Sequence, residues 1–138
     1  MEKPMKRIVV LSVCAFLALG AGKADRYARV LPAIEMVESS GRANAVGDGG
    51  KAVGILQIRP VMVEDVNRIL GEDRYTLADR LDPAKSREMF RVYSDHYAKC
   101  GDAEKVARNW NGGPRGHRKA ATLAYWRKVD QAMNGGVK

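Results

Sequence analysis

Five glycines crowd residues 41 to 54 (Gly41, Gly47, Gly49, Gly50 and Gly54), with Asp48 among them. Neither a helix nor an unbroken strand tolerates that density, because glycine loses more backbone freedom on ordering than any other residue. The stretch reads as a long turn-rich loop, and its flanks must build the fold. Before it, Ile34 and Val37 lead into Glu38-Ser39-Ser40. Pro32 suits the first turn of a helix there, and Gly41 would end it. After it, Pro60 opens a helix whose Met62, Val66, Ile69 and Leu70 fall on one face, with Gly71 as its stop.

The remainder is punctuated in the same way. Asp82-Pro83 pairs an N-cap residue with a proline at the first helical position. That helix is predicted to carry Met89, Tyr93, His96, Tyr97 and Cys100 on one face and to end at Gly101. Asp102 caps the next, with Val106 and Trp110, and Asn111-Gly112-Gly113-Pro114 makes a turn. A last helix places Ala121, Tyr125, Val129, Ala132 and Met133 together. Period-two alternation is nearly absent, leaving room only for a short β-hairpin around Val53 to Ile58. The predicted class is mainly α, a single domain of about five to six short helices around one Gly-rich loop.

At 138 residues the chain has length for one domain, and 46% hydrophobic against 29% charged residues excludes disorder. Lys3, Lys6 and Arg7 precede an apolar run from Ile8 to Leu19, followed by Gly20-Ala21-Gly22-Lys23-Ala24. A basic start, a short apolar middle and small residues describe a secretory signal peptide. The run falls short of the ~20 apolar residues of a membrane span. Residues 1–24 are therefore expected to be a leader, cut after Gly20 or Ala24, with an uncleaved anchor as the rival reading. Residues 25–138 are the expected working domain, exported to the periplasm or beyond the cell and without a stable membrane span.

Cys14 lies inside the apolar run behind the bulky Val13, which argues against a lipidated cysteine. Past the leader only Cys100 remains, so no internal disulfide is expected. Its thiol is expected to be a part-buried apolar group. The net charge of +8 suits a polyanionic partner. Only Arg115 to Lys119 is dense in basic residues, and it lacks the interleaved aromatics of single-strand binders. No nucleic-acid partner is expected.

The chemistry gathers on carboxylates. A carboxylic acid held against apolar neighbours keeps its proton, because desolvation disfavours the charged form. Glu38, closing the Ile34–Val37 segment, is so placed, and such an acid can protonate a glycosidic oxygen near neutral pH. Glu35, one turn earlier, is expected on the outer face. Asp48 has two readings, a turn residue beside glycine or a second carboxylate at the site. His96, Cys100 and His117 do not compose a metal set, and no metal or other cofactor is expected. Ser39 and Ser40 lack the partner base of a nucleophile.

Four elements in order then resemble one superfamily: Glu38-Ser39, Gly54-Ile55-Leu56-Gln57, Asn109-Trp110-Asn111-Gly112-Gly113, and Tyr125 ahead of Lys128-Val129. They are similar to the marks of lysozyme-like proteins, specifically soluble lytic transglycosylases and goose-type lysozymes. The resemblance implies peptidoglycan glycan strands as substrate and the N-acetylmuramic acid–N-acetylglucosamine bond as target. It implies Glu38 as catalytic acid, with Ser39, Gly54, Gln57, Trp110, Asn111 and Tyr125 about the sugar, Tyr125 supporting the Glu38 carboxyl or the neighbouring sugar.

Gly54 would let backbone approach the saccharide. Trp110 stands where the family has tyrosine, keeping a ring without the hydroxyl. Asp48 resembles the goose-type aspartate that positions water, and an inverting glycosidase holds its two carboxylates ~6.5–9.5 Å apart. Those lysozymes also tend to carry an acid where this chain has Arg59, which favours the transglycosylase. A goose-type hydrolase and a catalytically idle wall-binding domain are the alternatives. A monomer is expected, and the small size resembles enzymes that open the wall for secretion or conjugation machines.

Overall fold

The computed structural model describes residues 24–135. The leader predicted for residues 1–24 lies, except for its last residue, outside the described residues. Five helices follow one another: α1 (Val30–Ser39), α2 (Pro60–Leu70), α3 (Pro83–Tyr97), α4 (Ala103–Gly112) and α5 (Leu123–Asn134). Between α1 and α2 a two-stranded antiparallel sheet, β1 (Val46–Gly47) and β2 (Ala52–Val53), pairs Val46 with Val53 and Gly47 with Ala52. Among the described residues no helix is long and apolar enough to cross a membrane.

Local signals set most of these limits. Helix α2 begins at Pro60 and ends against Gly71, whose φ of 72° reverses the chain. The Asp82 carboxylate accepts from the Ala84 and Lys85 amides at the start of α3, and Asp102 accepts from Lys105 at the start of α4. Those side chains satisfy amides that have no partner within the first helical turn. Helix α1 starts two residues before Pro32 and reverses at Ser40 and Gly41, φ 55° and 75°. The expected hairpin at Val53 to Ile58 is present as a single Val53–Ile58 bridge, while the main hairpin lies just before it. Glycines in the loop masked its alternation.

Helix α3 departs from expectation. It stops at Tyr97, so Cys100 lies beyond it, and both Cys100 and His96 are exposed. The Arg26 guanidinium supplies the reason, donating to the carbonyls of Ala98, Lys99 and Gly101 at 2.6, 2.7 and 3.0 Å. Carbonyls that another helical turn would have engaged are thereby satisfied from 72 or more positions away in sequence. The buried face of α3 is Ser86, Met89, Phe90, Tyr93 and Ser94. Ala121 likewise is exposed, in a single turn before α5, whose buried anchor is Val129.

The core gathers Ile34, Leu56, Phe90, Val106 and Val129 with the rings of Tyr27 and Trp110. Phe90 stands edge-on to Tyr27 at 5.4 Å and tilted against Trp110 at 5.0 Å between ring centres, spacings that favour aromatic pairs. Helix α1 packs along α5 and against α4. Because α1 is covered on several sides, Glu35 is buried, contrary to its expected place on the outer face. Arg87 of α3 meets it with both arms of its guanidinium, Nε to Oε1 at 2.6 Å and an Nη to Oε2 at 3.1 Å. Removing the guanidinium in Arg87→Ala leaves a buried carboxylate without its partner. A loss of about 1–3 kcal/mol is expected in urea unfolding, the cost of an unsatisfied buried polar group.

Candidate active site

Glu38 sits in the last turn of α1, half-buried, and its Oε1 accepts a 2.7 Å hydrogen bond from the Tyr125 hydroxyl of α5. The packing of α1 along α5 brings together residues 87 positions apart. Burial lifts the Glu38 carboxyl above its usual 4.5, and the Tyr125 hydrogen bond, which favours the ionised form, opposes this only in part. Burial and the nearby carboxyl push Tyr125 well above its usual 10, so the phenol keeps its proton and can donate it to Oε1. With Oε1 occupied by the phenol, Oε2 is the oxygen left to carry the acidic proton.

Removing the phenol hydroxyl in Tyr125→Phe takes away the one contact that favours the charged carboxylate. The alkaline limb of the pH–activity profile, where Glu38 loses its proton, is then expected to move to higher pH. A limb that stays put or moves down would show that Tyr125 does not tune this acid.

Glu38, Asp48, Gln57, Trp110 and Asn111 line one cavity of about 300 Å³, with Ala52, Arg59 and Met62 completing it. A second cavity of about 650 Å³ shares Arg59, Met62, Trp110 and Asn111. The two therefore form one groove, of a size that suits a ligand, apolar along its larger part and more polar around Glu38. Its extension runs past Tyr93 and Tyr97 on α3 to Asp65 and Arg68 on α2, where the Tyr97 hydroxyl donates to Asp65 at 2.7 Å.

Trp110 serves both as core and as wall: it is 6% exposed, packs on Phe90 and Tyr93, and faces both cavities. Its neighbour Asn109 turns the other way. Buried, it accepts from the His117 amide and donates to the Tyr97 carbonyl, fixing the end of α4. Asn111 follows at the groove. One turn of helix thus splits the Asn-Trp-Asn motif into an anchor, a wall and a groove residue.

Two of the expected sugar contacts, Ser39 and Gly54, are engaged within the protein. Ser39 is buried, its hydroxyl donating to the Ile55 carbonyl at 2.8 Å and accepting from the Arg42 amide at 3.1 Å, so it ties α1 to the loop behind the site. Gly54 answers a close approach of the protein's own backbone. A Cβ there would stand 1.8 Å from the Arg80 carbonyl oxygen, at a φ of 87°. Gln57 is also engaged within the protein. Its Nε2 donates to the Ala45 and Gly54 carbonyls at 3.1 and 3.0 Å, holding the loop, while the residue also lines the cavity.

Asp48 occupies the turn between β1 and β2 at φ 49°, and its carboxylate is ion-paired with Arg59. Sequence reasoning identified Arg59 only as a missing acid, and the pairing had no local signal. Ala52 and Met62 were likewise missed as cavity walls. Cys100 and His117 share a separate cavity of about 350 Å³, away from Glu38. Among the described residues no group of three His, Cys, Asp or Glu side chains is arranged to hold a metal ion.

The family model for the transglycosylase SLT domain matches residues 20–133. Among curated proteins, invertebrate-type lysozyme 6 of Caenorhabditis elegans is 43% identical over 58 residues, which is 38% of this chain and 41% of that protein. The match thus spans about two fifths of that relative's length. Among solved structures, a chain of the crystal structure of Aeromonas hydrophila PliI in complex with Meretrix lusoria lysozyme superposes with a TM-score of 0.65 at 28% identity. It covers 75% of this chain and 88% of its own. A chain from inhibitor-bound lysozyme of Meretrix lusoria matches with the same figures. The fold is lysozyme-like.

Proposed function

We propose that this chain, which belongs to the transglycosylase SLT domain family, cuts the β-1,4 bond between N-acetylmuramic acid and N-acetylglucosamine in peptidoglycan, as a lytic transglycosylase. The observation that carries the reading is Glu38: a carboxyl raised by burial, steadied by Tyr125 and lining a groove. Its proton goes to the glycosidic oxygen as the bond to C1 breaks. The positive charge that develops at the sugar is met by the carboxylate just formed. Glu38 then takes the proton of the muramic acid's own 6-hydroxyl while that oxygen bonds to C1, closing a 1,6-anhydro ring and restoring the acid. One carboxyl thus serves both halves of the reaction, which needs no second base. Trp110 and Asn111 supply a flat apolar surface and an amide at the groove, the two kinds of contact a sugar ring offers.

A goose-type hydrolase remains the second reading, favoured by Asp48 in the same cavity. Mass spectrometry of purified sacculi digested by the chain separates the two. Anhydro ends are expected, and reducing ends would pass the assignment to the hydrolase. An idle wall-binding domain would retain sacculi and release nothing. On this proposal residues 25–138 act as one monomeric domain outside the cytoplasm, where peptidoglycan lies. Opening the wall for a secretion or conjugation machine is the use such a domain would suit.

A further inference from the structure

Resting on the transglycosylase reading, we propose that Arg59 decides the acceptor of the reaction. By pairing with Asp48 it keeps the groove's second carboxylate from activating water and leaves C1 to the sugar's 6-hydroxyl. Three observations carry this. Asp48 and Glu38 line the same cavity, so a carboxylate is already at hand for water. The Asp48 side chain is 47% exposed, so water reaches it. Its Oδ2 is held by the Arg59 guanidinium, which also belongs to that cavity.

The backbone brings both residues to the same place. Arg59 is the extended residue just ahead of Pro60 at the start of α2, with φ −90° and ψ 156°. Asp48 is held in the tight turn between β1 and β2. A guanidinium so placed engages Oδ2, one of the two oxygens with which Asp48 could take a proton from water. Arg59 acts through Asp48 and is a positioning residue, not a catalytic one.

The two courses share their first half. Glu38 gives its proton to the glycosidic oxygen, the bond from that oxygen to C1 breaks, and N-acetylglucosamine leaves with a new hydroxyl. With Arg59 paired, O6 bonds to C1 and its proton returns to Glu38. With Asp48 freed, a water oxygen bonds to C1 from the opposite face and Asp48 takes the water proton. The products differ by one water, giving an anhydro end in the first case and a reducing end in the second.

The test is the ratio of reducing to anhydro ends released from purified sacculi by wild type, Arg59→Ala, Arg59→Lys and Arg59→Ala/Asp48→Asn. A severalfold rise in reducing ends is expected for Arg59→Ala. Arg59→Lys, which keeps an ammonium beside the carboxylate, should return toward the wild-type ratio, and the double variant should restore it. Arg59→Gln serves in place of the alanine variant should the latter fold poorly. An unchanged ratio in Arg59→Ala or Arg59→Gln, with cleavage still dependent on Glu38, overturns the proposal. So does a raised KM at constant ratio, which makes Arg59 a substrate contact. Failure of the parent reading is distinct, because it appears in wild type itself as reducing ends.

Discussion

Glu38→Gln is expected to end digestion of purified sacculi, with a fall of roughly 10²–10⁴-fold set by loss of the general acid. The amide keeps the shape and can still accept from Tyr125, so the fold should persist. The same substitution should raise stability at neutral pH. The native state binds the Glu38 proton more tightly than the unfolded chain, because its folded-state pKa is raised. The stability it contributes is complete below the ordinary value of 4.5 and is lost as pH rises through the elevated native value. A neutral amide escapes that loss. Thermal melts across pH should therefore show Glu38→Gln gaining on wild type as pH rises, and the gap closing in acid. A variant that digests sacculi at the wild-type rate would remove Glu38 from the mechanism. One that gains no stability at neutral pH would show that the carboxyl is not desolvated.

The second large effect is structural. Gly54→Ala is expected to cost about 3 kcal/mol or more, because both the left-handed φ of 87° and the 1.8 Å approach to the Arg80 oxygen oppose a side chain. The opposing atom is backbone, so no rotamer change can relieve it. Against a total stability of about 5–15 kcal/mol, that is a large share. Gly49 provides the control. It has φ 62° but nothing within 4 Å of an added Cβ, so Gly49→Ala should cost only the conformational part, about 1–2 kcal/mol. Urea unfolding of the two variants separates steric clash from backbone preference. Equal losses would contradict the close packing of the loop on the segment before α3.

How far such features could be read from the chain depends on how far apart the partners stand. Pro60 with Gly71, and Asp82 with Pro83, mark helix limits because the cap and the backbone it serves are neighbours. Glu38 was legible for the same reason, as an acid closing an apolar turn, and the resemblance added Tyr125 as support for its carboxyl or for the neighbouring sugar. Glu35 was misread because its burial comes from the packing of α1 on distant helices, and its partner Arg87 lies 52 positions away. The end of α3 was misplaced because Arg26 reaches in from the far end of the described chain. Gly54 was seen to need a bare backbone, but the identity of the approaching group, the Arg80 carbonyl, is a tertiary fact. Asp48 and Arg59 were each singled out, yet the ion pair joining them exists only once the loop is folded against the start of α2.

Catalysis turns on the protonation of one side chain, and carbon-13 NMR titration of the Glu38 carboxyl measures it directly, with Glu38→Gln identifying the resonance by its absence. The signal is expected to titrate above 4.5, the ordinary glutamate value. A midpoint at or below that value would mean a solvated, ionised carboxylate with no proton to give to a glycosidic oxygen, contradicting the mechanism.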